Sequence, residues 1–136
     1  MNTWLLKTEP NDFSYDDLEA RTREPWDGVR NFAALKHMAG MRPGDLAFIY
    51  HTGNQRQVVG VCQVVSEPYP DPGTDDPRFI LVDVAPKYRL DHPVPLKDIK
   101  ADHHFDGWDL VRLPRLSVMP VPSKHWDRIH DMAQGD

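Results

Sequence analysis

Thirteen prolines in 136 residues, close to one in ten, set the first limit on what this chain can fold into. Average usage is about 5%. Each proline lacks a backbone N–H and pushes the residue before it away from helical geometry, so regular structure is cut into short pieces. Long helices are excluded almost everywhere. At roughly 100–200 residues per domain, the length predicts a single domain over residues 1–136.

Between the breaks, local signals place the elements. Residues 3–8 form a β-rich run halted by Pro10. Ser14, with an acidic residue three positions later, predicts a capped helix through Leu18 to about Arg21. Residues 25–30 look like an irregular loop, after which Asn31 can cap a helix over residues 32–39 that Gly40 ends, with Phe32, Leu35 and Ala39 facing inward. A turn at residues 42–45 leads into a strand at 46–51, and Gly53-Asn54 turns the chain into a second strand at 58–65. That strand is apolar on both faces, as a central strand is, and Gly60 in it marks a bulge or a close backbone approach. Residues 67–77 make the longest loop, and a strand resumes over 79–88. Beyond the break at Pro93 and Pro95, residues 96–101 suggest a helical turn, 110–113 a short strand and 115–121 another. Ser123 can cap a last helix in which Trp126, Ile129 and Ala133 recur on one side. About five strands among short helices, without regular βαβ alternation, predict an α+β fold on a small, strongly bent mixed sheet or partial barrel.

Charge and cysteine content narrow the function. Sixteen basic against 21 acidic residues give a net charge of −5, so whole-protein electrostatics cannot hold a nucleic acid and a local pocket must supply affinity. The lone Cys62 allows no internal disulfide, fits a reducing compartment, and within an apolar strand reads as an inert buried thiol. The expected location is the cytoplasm, or the nucleus for a eukaryotic chain. No apolar run approaches the roughly 18 residues of a membrane helix, and the N-terminus has no basic segment followed by an apolar one.

Familiar catalytic patterns find no match. His103-His104-Phe105-Asp106 is the densest histidine cluster, but its spacing suits a metal poorly, and His125 and His130 are five apart instead of the four a helical zinc motif uses. No nucleophile elbow or glycine-rich phosphate loop occurs, so no catalytic set, metal or cofactor is expected. What stands out is a set of polar and aromatic residues at element ends: Lys7 and Glu9, Trp26 and Asn31, Tyr50 and His51. Trp26 reads equally as a core residue or as the wall of a binding cage.

Several blocks of sequence, in order along nearly the whole chain, carry a resemblance. They are residues 4–10 (WLLKTEP), 26–31 (WDGVRN), Gly44-Asp45, Tyr50-His51, Val59-Gly60-Val61, and residues 114–118 (PRLSV), which holds Arg115 and Ser117. Together they resemble the EVE domain. The resemblance implies a PUA-like fold of about five or six strands flanked by short helices, related to the YTH readers of methylated adenine in RNA. It implies a binding module, not an enzyme, that takes a modified nucleobase in an aromatic pocket, with 5-methylcytosine-type bases in DNA or a modified base in RNA as ligands. By the same resemblance Trp26 corresponds to an aromatic wall, Lys7, Thr8 and Glu9 to the segment that meets the base edge, and Phe79 or Tyr50 to the second wall; Thr8 and Thr52 stand where serine is commoner. The expected protein is a monomer whose partner is nucleic acid. Competing readings are a PUA-like module acting on tRNA or rRNA, and a small hydrolase using His51 or His103 with a carboxylate.

Overall fold

The computed structural model describes residues 1–135, and its first strand, β1 (Thr3–Thr8), is already a central one. Leu5 and Leu6 have no exposed surface, because β1 is flanked on both sides. β3 (Leu46–His51) pairs with it in parallel, Thr3 opposite Leu46 through Thr8 opposite His51, and β7 (Val118–Pro120) pairs antiparallel on the other side. The buried carboxylate of Asp45 fixes this register. It accepts from the Trp4 indole N–H at 3.0 Å, and from the backbone N–H groups of Asn2 and Arg42 at 3.1 Å each.

The sheet continues from β3 through β4 (Gln57–Val64) and β6 (Ile80–Pro95) to β2 (Glu24–Trp26), giving the order β2-β6-β4-β3-β1-β7, with β5 (Tyr69–Pro70) hydrogen-bonded to β6. One parallel pair among antiparallel ones makes it mixed, as expected. The helix α2 (Phe32–Ala39) touches both β7 and β6, and so bridges the two sides of the curled sheet. Asn31 caps α2 as expected, but the helix buries Ala34, Leu35 and Met38 and leaves Phe32 and Ala39 exposed, since its inward stripe is rotated from the expected one.

The helix α1 (Tyr15–Arg21) carries the expected capping box between Ser14 and Asp17. It is fastened to β4 by Tyr15, whose hydroxyl donates to the Val61 carbonyl at 2.8 Å. That packing explains Gly60: a Cβ there would meet the Tyr15 ring at 2.6 Å. Burial pushes the Tyr15 phenol up to about 12. At the other end of the chain, α5 (Ser123–Ala133) stacks Trp126 on Phe48 with ring centroids 4.1 Å apart.

Four further expectations give way. Residues 24–26 are not irregular: they form β2, on the edge of the sheet, where Pro25 is tolerated because one side of an edge strand needs no donors. β6 does not break at Pro93 but runs to Pro95, because β2 covers it only over Val82–Val84 and leaves its outer side unpaired beyond. Residues 110–113 do not form a strand. Residues 110–112 belong instead to the single helical turn α4 (Asp109–Arg112), which Leu113 caps, after the helix α3 (Leu96–Ala101) and a 3₁₀ turn at His103–Phe105. Pro122, not Ser123, is the N-cap of α5. Cys62 is fully buried and its thiol is pushed up to about 12 by burial, as an inert thiol should be. No helix among the described residues is long and apolar enough to cross a membrane.

Two outcomes follow from this packing. Gly60→Ala should lower stability by about 1–3 kcal/mol through overpacking against Tyr15, more than Tyr15→Phe, which loses one hydrogen bond worth about 0.5–1.5 kcal/mol; urea unfolding of the two variants ranks them. His125 is buried between Phe105 and Trp108, its Nε2 against the His104 carbonyl and its Nδ1 without a partner among the described residues. Burial holds the imidazole below its usual value, so the folded state favours neutral His125. Its contribution to stability is complete above the unfolded pKa of about 6.5 and is lost progressively as pH falls below it. The drop in unfolding free energy between pH 7 and pH 5 should therefore shrink in His125→Phe.

Candidate functional site

β1 ends at a cavity of about 370 Å³ bounded by the loop after it, by β2 with residues 27–29, and by Ser117 from the approach to β7. Its aromatic floor is a pair. Phe13 meets Trp26 edge to face at 6.0 Å and 81°, an arrangement favoured by the ring quadrupoles. Phe13 is held there by a tight turn: the Thr8 hydroxyl donates to its carbonyl at 2.6 Å, and its own N–H donates to the Glu9 carbonyl at 2.9 Å. Trp26 is only 6% exposed, and belongs to the core as well as to the cavity. At the lip, Gly28 has φ +77°, a left-handed conformation that glycine adopts without cost.

The polar wall has both signs of charge. Lys7 is half-buried, donates to the Pro114 carbonyl at 3.0 Å and lies 5.6 Å above the Tyr50 ring. Burial lowers its pKa. An ammonium has three donors, so donors remain for a ligand. Arg21 pairs with Glu24 at 3.2 Å and covers the Phe13 ring at 5.7 Å. The Asp12 and Asp27 carboxylates line the same cavity with no ion-pair partner among the described residues. Donor and unpaired acceptors thus face one aromatic-floored space.

Of the ten residues singled out from sequence, Lys7, Thr8, Trp26 and Ser117 line this cavity. The others lie elsewhere. Glu9 accepts from the Asn11 N–H at 3.0 Å and packs against Gly53, away from the cavity. Asn31 caps α2, and with Arg115 it borders a separate apolar depression. Tyr50 is buried beneath Lys7. Phe79 packs on Phe32 at 5.7 Å, beyond the cavity. His51 is 7% exposed and uses both ring nitrogens: Nε2 accepts from the Tyr15 N–H at 3.1 Å and Nδ1 faces the Gln55 side-chain oxygen at 2.8 Å. This leaves His51 no free nitrogen to act as a catalytic base. The histidine cluster fares similarly, since both Asp102 oxygens are engaged, by His104 at 2.7 Å and by Arg128 at 2.8 Å. Asp12, Phe13, Arg21, Glu24 and Asp27 were not legible as site residues; only Asp27, inside the Trp26–Asn31 block, carried a signal.

The profile of the EVE domain family matches residues 2–132 of the chain. The chain belongs to this family. Among curated relatives, thymocyte nuclear protein 1 of Mus musculus is 32% identical over 162 residues, covering 94% of this chain and 72% of that protein. The solved structure of Rpa0253 from Rhodopseudomonas palustris superposes with a TM-score of 0.93 at 37% identity, covering 98% of this chain and 94% of that one. Human THYN1 in complex with DNA containing 5-methylcytosine superposes with a TM-score of 0.91 at 26% identity, over 100% of this chain and 99% of that one. The YTH domain of Zygosaccharomyces rouxii MRB1 shares the fold, with a TM-score of 0.62 at 12% identity over 97% of this chain and 86% of that one.

Because Trp26 belongs to the core of this EVE domain, Trp26→Ala should cost about 3–5 kcal/mol of stability, and Trp26→Phe much less. Chemical denaturation of both variants measures this, and it fixes Trp26→Phe as the substitution suited to binding studies.

Proposed function

We propose that this EVE domain is a reader of a modified nucleobase, and that the base enters the cavity floored by Trp26 and Phe13. The observation that carries the reading is the meeting of an aromatic floor with opposed polar groups: Lys7 as donor, Asp12 and Asp27 as acceptors. A cytosine-type edge offers the complement, an exocyclic amine to donate and a ring nitrogen and carbonyl to accept. A thymine or uracil edge offers two carbonyls around one N–H, and carboxylates repel those carbonyls. Of the segment expected to meet the base edge, Glu9 turns away, and the acceptor role falls to Asp12 and Asp27. Human THYN1, bound to DNA containing 5-methylcytosine, supports the same ligand class here.

Magnitudes favour a modified base over an ordinary one. Extracting a base from a duplex costs a few kcal/mol, while aromatic stacking contributes about 1–3 kcal/mol. These nearly cancel. One added methyl contributes about 0.8 kcal/mol when buried, enough to tip a balance this close. A base already loosened or single-stranded binds better still.

The test is a binding screen of purified protein against short strands of one sequence carrying cytosine, 5-methylcytosine, N6-methyladenine or thymine at one position, in DNA and in RNA. A modified amino base should bind best. Asp27→Asn, which keeps the shape and replaces an acceptor by a partial donor, should weaken that binding by a charge-assisted hydrogen bond, about 1.5–3 kcal/mol, and narrow the gap to thymine. Affinity independent of the modification, in wild type and variant alike, refutes the reading.

A further inference from the structure

Half of the basic residues are neutralised by the fold. Arg21, Arg23, Arg30, Arg42, Arg78, Arg89, Arg112 and Arg128 each form an ion pair with a carboxylate. Against a net charge of −5, the cations that remain unpaired among the described residues decide where a polyanion can lie. Three of them converge. Arg56, Lys97 and Lys100 line one concavity of about 400 Å³, together with the amide-bearing residues Asn54, Gln55 and Gln57, and no acidic residue among the described ones lines it. Asp98 shares α3 with the two lysines but does not line the concavity. All three cations are exposed.

This groove and the Trp26 cavity lie on either side of the paired ends of β1 and β3. β1 and β3 run parallel with Thr8 opposite His51, so both end at one rim, and the Thr52 N–H donates to the Thr8 carbonyl at 2.9 Å. From that point the loop carries Asn54 to Arg56 around to α3, where the Leu96 N–H donates to the Arg56 carbonyl at 2.8 Å. Tyr50 is within reach of a cation from each site: the Lys7 ammonium lies above its ring, and the Arg56 charge acts on its hydroxyl against the upward push of burial. Arg56 also holds φ +46°, a left-handed conformation uncommon outside glycine, asparagine and aspartate.

We infer that the Arg56, Lys97 and Lys100 groove is a contact site for the sugar–phosphate backbone of the strand whose base occupies the Trp26 cavity. Three cations with amides between them match phosphate oxygens, which accept from both. The acid-free lining distinguishes the groove from the cavity itself, where carboxylates Asp12, Glu24 and Asp27 repel phosphate and suit a base amine. The inference rests on the base-reading proposal for its choice of partner, and the two are separable by experiment.

The variant is Arg56→Asn/Lys97→Gln/Lys100→Gln, with asparagine chosen because it tolerates the left-handed backbone. Lys97→Gln/Lys100→Gln serves as a second variant that leaves the loop untouched, and thermal melting verifies the fold of both. Two ligands are titrated at 50–300 mM salt: a strand carrying 5-methylcytosine or, for comparison, cytosine at one position, in DNA and RNA versions, and the free 5-methylcytosine nucleoside. Each neutralised phosphate adds about 0.7 to the salt slope of single-strand binding, so the triple variant should lose about 2 from that slope and bind the strand at least tenfold more weakly at low salt. Nucleoside binding should stay unchanged. If strand affinity and slope match wild type in both variants, the groove is not a backbone contact, whatever the cavity does. Equal losses for strand and nucleoside also overturn it, because the substitutions then act on the cavity. If the slope drops while wild type shows no preference for the modified base, the groove stands and the base-reading proposal falls; if wild type binds neither ligand, both fall.

Discussion

β1 lies between β3 and β7, and the remaining structure depends on that insertion. An N-terminal strand buried on both sides has to pair with residues 43 positions downstream on one flank and with the far end of the chain on the other. Asp45 makes this register specific: its carboxylate accepts from Trp4, Asn2 and Arg42, so a one-residue slip would strand a buried charge. The same register delivers Lys7 and Thr8 to the rim. It brings Ser117 beside them through the Lys7 N–H bond to the Ser117 carbonyl, and suspends the loop of residues 52–56 from Thr8.

Site and core are therefore not separate. Trp26 pairs through its backbone with Val82, packs in the hydrophobic core, and presents its remaining surface to the cavity. Phe13 is less buried: it packs against the core from one side and is held by its turn from the other. A wall anchored in this way loses little side-chain entropy when a flat ligand stacks on it. The polar groups follow a similar logic: Lys7 is steadied by the Pro114 carbonyl, Arg21 by Glu24, while Asp12 and Asp27 have no ion-pair partner among the described residues. Preorganised donors with free acceptors suit recognition of a polar edge.

Local chemistry was legible in the sequence wherever one segment decided the outcome. Ser14 and Asn31 cap as their neighbours predict, and Gly60 marks a close approach, though the intruding ring of Tyr15 lies 45 positions away and could not be identified beforehand. Two prolines misled in the same direction. Pro25 and Pro93 looked like breaks, yet both sit in strands on an unpaired side of the sheet, a property that depends on strand order. Residues 110–113 had strand-forming composition but too few positions to show a period, and tertiary packing chose a helical turn. Site residues divided likewise: Lys7, Thr8, Trp26 and Ser117 lie in recognisable blocks, whereas Asp12 and Phe13 join them only because the loop after β1 folds over β2. Glu9, two residues from Lys7 and on the far side of the same turn, shows how little adjacency in sequence says about facing direction.

On the proposed reading, the base sits on Trp26 and Phe13 with its added group against the aromatic floor. Nuclear Overhauser contacts between the 5-methyl protons of a 5-methylcytosine-containing strand and the protein's aromatic protons report that placement. Contacts to the Trp26 indole and the Phe13 ring are expected, with none to Phe79, Tyr50 or Trp126. Contacts to Phe32 and Phe79 with the Trp26 and Phe13 resonances undisturbed, in a complex that still forms, would overturn it.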